Sequence, residues 1–213
     1  LQSAAAADGS WADLSNLIVG SEGTLAFITA VTLELTERPE TRAAALCFYD
    51  DVIGAAAAVA PALEADPSAV ELIDDEILGY AREAWGLDLV LEDAGAALLV
   101  EVETTQETQR EDLEAAITAA RTDSLVGVER AVENDEQETL WKVRKASNPL
   151  LNRRPGDEQA LSFIEDAAIP PEHLADYIPA VQDLCRDLGV RTVFYGHASV
   201  GVIHTRPLLD LKT

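Results

Sequence analysis

Apolar and polar positions change period several times along this chain. Over Phe27-Ile28-Thr29-Ala30-Val31-Thr32-Leu33-Glu34-Leu35 they alternate and β-branched residues abound, which predicts a strand. Arg38-Pro39-Glu40 breaks that pattern and predicts a linker. From Thr41 onward strand and helix patterns take turns. Strands are predicted over 43–48, 69–73, 96–103, 126–132 and 190–195, and an extended stretch over 161–164. Helices are predicted over 50–64 despite Pro61, over 75–85, and over 134–148 with Pro149 as the stop. Thr104 with Glu107 reads as a capping box for a helix running to about Ala120. Pro170-Pro171 opens a helix that runs to Leu188, since proline is tolerated in a first turn. Hairpin signals are few. Strands spaced by helices predict an α+β fold, an antiparallel sheet with helices packed on one face, and no fixed-period repeat interrupts it.

Charge narrows the function classes. Asp and Glu number 39 against 15 Lys plus Arg, a formal net charge of -24. A nucleic-acid binder that lives on phosphate contacts needs a basic stripe, and an anionic membrane surface would repel this chain. No apolar run approaches the roughly 18 residues of a membrane helix, so a cytoplasmic protein is expected, peripheral at the membrane at most as part of a longer chain. Hydrophobic residues make up 48% of the chain, enough for a large core. Only 3 of the 15 cations are Lys, and an acidic, Lys-poor surface suits strong salt; the expectation is a halophile's protein. With 0 Met and apolar ends, the chain is expected to be a piece of something longer. Cys47 and Cys185 form no CxxC pair and are expected to be buried thiols.

Four motifs could carry chemistry. Gly20-Ser21-Glu22-Gly23-Thr24-Leu25 is a glycine-rich turn whose backbone could approach a cofactor closely, or an ordinary tight turn; it is neither GxGxxG nor a phosphate loop. Gly196-His197-Ala198-Ser199-Val200-Gly201-Val202-Ile203-His204 holds two histidines seven apart. On one plain strand they would face opposite sides, but a turn at Ser199–Gly201 would reverse the chain and let both imidazoles converge. They are then either metal ligands or structural residues. Ser199 misses the nucleophile elbow, since its first position is not Gly and no strand-to-helix turn follows.

The third motif is the cation excess Lys142, Arg144, Lys145, Arg153 and Arg154, suited to holding an organic acid's carboxylate or to pairing with the acidic stretch 133–138. The fourth is Phe163-Ile164-Glu165-Asp166 with Pro170-Pro171-Glu172-His173. Paired carboxylates there could do acid–base work, or simply mark a strand end and a helix start with His173 facing solvent.

Taken together these residues resemble a known family. Ile18 to Thr29 resembles the flavin-contacting segment of FAD-linked oxidases of the vanillyl-alcohol oxidase type. Phe163–Pro171 and Tyr195–Thr213 are similar to the segments closing over the flavin in the D-lactate and D-2-hydroxyglutarate dehydrogenase branch. Pro149-Leu150-Leu151, Arg153–Asp157 and Gly196–Gly201 resemble its large members fused to an iron–sulfur domain.

The resemblance implies that residues 1–39 end an FAD-binding domain. Residues 40–213 then form a ferredoxin-like substrate-binding cap, truncated at its C-terminal end. It implies FAD contacted by Gly20, Ser21, Glu22, Gly23, Thr24 and Leu25, and a divalent metal (Zn, Mn or Fe) on His197 and His204, which would also be catalytic. Arg144 or Arg206 would grip the carboxylate of a D-2-hydroxy acid of the D-lactate, glycolate or 2-hydroxyglutarate class. Hydride would pass to FAD and electrons on to an iron–sulfur domain or subunit. Ala26 replaces the family's usual glycine, Val200 and Val202 its Asp and Asn, and Arg206 stands where many relatives carry Asn. The reading from another class is a non-catalytic ligand-binding or interaction domain on the same scaffold; convergence of both imidazoles with Arg144 would argue for the enzyme.

Overall fold

The computed structural model describes residues 15–86 and 90–212; the side chains of Glu165 and Asp166 lie outside the described residues. The chain divides into two units between Arg38 and Pro39. In the first, a four-residue helix α1 (Ser15–Ile18) leads into the glycine-rich turn, and residues 25–38 carry no regular secondary structure. The strand predicted over 27–35 does not form. A strand's N–H and C=O groups need a neighbouring strand, and none pairs here among the described residues. Phe27, Ile28, Val31, Leu33 and Leu35 are accordingly exposed, Phe27 by 99%.

The second unit is built on eight strands: β1 (Thr41–Tyr49), β2 (Ala69–Asp74), β3 (Ala96–Thr104), β4 (Leu125–Ala131), β5 (Glu158–Ala160), β6 (Ile164–Ala168), β7 (Arg191–His197) and β8 (Val202–Asp210). They run in the order β4-β1-β3-β2-β7-β8-β5, with β6 on β8, and every pairing is antiparallel. Six helices pack on this sheet: α2 (Val52–Leu63), α3 (Asp75–Trp85), α4 (Gln109–Ala119), α5 (Asn134–Lys145), α6 (Ser147–Leu151) and α7 (Leu174–Asp187).

The helices lie on both faces, which corrects the one-face expectation. Ala43, Ala45, Cys47 and Tyr49 of β1 join α2, α4 and α7 in one core, including Val59, Leu113 and Ile178. Ala44, Leu46 and Phe48 join α3, α5 and α6 in a second, including Ile77, Leu140 and Leu151. The physical reason is in the strand itself, because β1 is apolar at every position from 43 to 49 and both of its faces must be covered.

Local chemistry sets the helix ends. Asp74 caps α3 by accepting from the Asp75 amide at 2.7 Å, and Gly86 closes it in the left-handed conformation. The capping box expected at Thr104 and Glu107 does not form. Instead α4 begins at Gln109, and the hydroxyls of Thr104 and Thr108 both donate to Asp112, holding its carboxyl below the usual carboxylate range. Pro149 does not end a long helix either. α5 stops after Lys145, and Pro149 sits within the first turn of α6, where its missing N–H costs nothing. Cys47 and Cys185 are free and buried, as expected, and burial pushes the Cys47 thiol up to about 12. Among the described residues no helix is long and apolar enough to cross a membrane.

Candidate active site

The two histidines lie on one hairpin. β7 ends at His197, a 3-10 turn covers Ala198–Val200, Gly201 turns the chain with φ 70, and β8 begins at Val202. Register pairs His197 with Val202 and Tyr195 with His204. In an antiparallel pair such diagonal neighbours share a face, so His197 and His204 meet edge-on with ring centroids 5.8 Å apart, and His204 tilts against Tyr195 at 4.8 Å. The predicted reversal at Ser199–Gly201 is the device that brings them together.

Two arginines complete this face. Arg144, in the last turn of α5, has its guanidinium carbon 5.3 Å from the Tyr195 ring centroid; that of Arg206, on β8, is 5.7 Å away. Arg206 also donates to the Tyr195 hydroxyl, from Nη2 at 2.9 Å and Nε at 3.3 Å. Tyr195 is thus the common wall between two cations and an imidazole.

Sequence reasoning missed two members, Tyr195 and Glu71. Glu71 lies mid-strand in β2, in register with His197, and is only 6% exposed. Its Oε1 is 2.9 Å from His197 Nδ1, and its Oε2 accepts from Arg144 Nε at 2.7 Å. A lone carboxylate within Ala69-Val70-Glu71-Leu72-Ile73 is the signal that could have found it, because a charge in an apolar strand needs partners.

The other candidates lie elsewhere. None of the five cations of 142–154 pairs with the 133–138 carboxylates among the described residues. Arg154 bridges Glu76 and Glu158, Lys142 lies over Trp85, and Lys145 over Trp141. His173 is exposed at the end of the 3-10 turn Pro171–His173. Glu165 and Asp166, named above for acid–base work, have side chains outside the described residues.

The glycine-rich turn belongs to the first unit and is exposed. Thr24 folds back on the Ser21 carbonyl through its amide at 2.9 Å and its hydroxyl at 2.7 Å. Gly20 and Gly23 have φ of 78 and 76, and the space a Cβ would occupy at each is open. Such a turn fits a flat cofactor approaching the bare backbone.

The metal expectation fares differently. Among the described residues no three His, Cys, Asp or Glu side chains are grouped to hold an ion, and Glu71 is engaged by Arg144 and His197. A Zn, Mn or Fe ion on His197 and His204 is therefore not supported by a third donor among the described residues.

Residues 38–213 match the family model described as "FAD linked oxidases, C-terminal domain". The chain belongs to that family. It is 31% identical over 217 residues to the D-2-hydroxyglutarate dehydrogenase of Pantoea ananatis, covering 93% of this chain and 21% of that protein. It is 28% identical to the glycolate oxidase subunit GlcD of Bacillus subtilis (94% and 42%) and 28% to the D-lactate dehydrogenase of Archaeoglobus fulgidus (92% and 42%). This FAD-linked oxidase C-terminal domain therefore spans between about a fifth and two fifths of those relatives' lengths. Among solved structures, 4-ethylphenol oxidase from Gulosibacter chungangensis (isoeugenol complex) is similar with a TM-score of 0.51 at 14% identity, covering 84% of this chain and 41% of its own, a likeness of fold.

Proposed function

We infer that this domain binds the substrate of an FAD-dependent enzyme oxidising a D-2-hydroxy acid to the 2-oxo acid. The observation that carries the reading is the gathering of Arg144, Arg206, His197 and His204 around Tyr195 on one sheet face. Two guanidiniums suit an anionic acid, and a pair of imidazoles suits the hydroxyl proton that must leave as the Cα–H bond breaks. That juxtaposition favours an enzyme over a ligand-binding domain without redox chemistry. The relatives named for hydroxy-acid oxidation point to the same substrate class, from D-lactate and glycolate to 2-hydroxyglutarate.

Arg144 and Arg206 hold the carboxylate. His197 or His204 accepts the hydroxyl proton. FAD, when bound along Gly20, Ser21, Glu22, Gly23, Thr24 and Leu25, supplies the hydride acceptor, and an iron–sulfur domain or subunit takes the electrons onward. No step is assigned to a metal. In this reading residues 1–39 end the FAD-binding domain and 40–213 are the substrate-binding cap of a cytoplasmic enzyme.

The test uses the flavin-bearing enzyme that contains this chain, assayed against a panel of D-2-hydroxy acids. His197→Ala and His204→Ala should each lower kcat, and Arg144→Ala and Arg206→Ala should mainly raise KM. Full activity in both histidine variants would reduce the pair to structural residues and overturn the reading.

A further inference from the structure

Glu71 has no place in the chemistry above, yet it is the group on which two of the proposed functional residues converge. Its carboxylate is buried, and each oxygen is committed to a different partner: Oε1 to His197 Nδ1 at 2.9 Å and Oε2 to Arg144 Nε at 2.7 Å. A carboxylate only accepts hydrogen bonds, so the proton of that contact must be on His197 Nδ1. Which ring nitrogen of a neutral histidine is left bare is set by the hydrogen bond the other one makes. The same logic applies to Arg144: among the described residues its hydrogen bond runs from Nε to Glu71, which leaves the two Nη groups as its remaining donors.

We propose that Glu71 is a positioning residue that holds His197 in its Nδ1–H tautomer and Arg144 by its Nε, making His197 Nε2 and the Arg144 Nη pair the working atoms of this face. Strand register supports the arrangement, since Glu71 and His197 are directly paired on β2 and β7 and are kept opposite each other by the sheet itself. The side chain of His197 is half exposed while that of Glu71 is 8% exposed, so the buried group orders the accessible one. Without Glu71 the imidazole would be free to turn or to carry its proton on Nε2, where it could not accept one. The role of Nε2 in taking the hydroxyl proton rests on the function proposed above; the tautomer does not.

Long-range proton–nitrogen NMR of the chain in mildly alkaline solution, where imidazoles are neutral, reads the tautomer directly. The chain has 3 histidines, and exposed His173 serves as the internal reference. His197 should show a protonated Nδ1 and a bare Nε2. In Glu71→Gln the amide can still accept from Arg144 through its oxygen, and its NH2 then faces His197. That should convert the ring to Nε2–H, with His173 unchanged. A wild-type His197 protonated on Nε2, or the same tautomer in both proteins, would overturn the proposal; the wild-type spectrum decides alone should the variant not fold. In the flavin-bearing enzyme, Glu71→Gln should lower kcat on the order of 10- to 100-fold with KM little changed. An unaltered kcat alongside a converted tautomer would sink the function assigned to Nε2 and leave the positioning of the ring standing.

Discussion

Gly201 and Ile169 touch backbone to backbone. The Ile169 amide donates to the Gly201 carbonyl at 2.8 Å, and a Cβ on Gly201 would stand 1.6 Å from the Ile169 carbonyl oxygen. Gly201 also has φ 70 at the turn that sets His197 against His204.

Gly201→Ala therefore meets both a strained backbone and a wall of main chain that cannot rotate away. The cost should be about 3 kcal/mol, read as a lower urea midpoint. An unchanged midpoint would mean that the Ile169 segment yields freely, and the hairpin would not be held as described.

Arg144→Ala leaves the Glu71 carboxylate buried with His197 as its remaining partner among the described residues. The two side chains are 10% and 8% exposed, so solvent screening is weak, and breaking such a pair costs about 3 kcal/mol. Denaturation of Arg144→Ala and of Arg144→Met, which restores the packing of the stem, should show similar losses. A full recovery in the methionine variant would assign the effect to packing rather than to charge.

Cys47 gives a pH dependence whose sign follows from burial. Its native thiol titrates near 12 rather than 9.0, so between those values the unfolded chain has lost a proton that the native chain keeps. Stability due to this group is full below about pH 9 and is lost as pH rises toward 12, at up to about 1.4 kcal/mol per pH unit for one proton. Cys47→Ala should flatten that alkaline decline. An identical slope in both proteins would remove Cys47 as its cause.

A net charge of -24 predicts a response to salt. Raising potassium chloride from about 0.1 M to about 1 M shortens the screening length from roughly 10 Å to roughly 3 Å and relieves self-repulsion. Tm should rise across that range. A flat or falling Tm would count against adaptation to strong salt.

What the sequence disclosed depended on how local each signal was. α3 is predicted over the residues it occupies, and the structure shows why the pattern is so local: Asp74 and Gly86 flank it with a cap at each end. The reversal at Gly201 was readable for the same reason, and with it the meeting of His197 and His204. Glu71 was not read, because its meaning depends on a strand pairing 126 residues away in sequence. The two-faced packing was written in the unbroken apolar run of β1 but was masked by the alternation expected of an antiparallel sheet. Thr104 misled because its hydroxyl serves Asp112, inside the helix, rather than the helix start.

The hairpin that carries Tyr195, His197, His204 and Arg206 also bears on how the chain acquires its order. Four of the six residues of that face lie within one short run of sequence, and a single turn suffices to bring them together. Glu71 and Arg144 are 73 residues apart, and Glu71 and His197 are 126 apart, so the contacts that orient the face close long loops. Loop closure of that length is slow and comes after local structure. One local turn thus makes the hairpin's side chains neighbours, whereas the imidazole acquires its fixed proton only once β2 is docked beside β7.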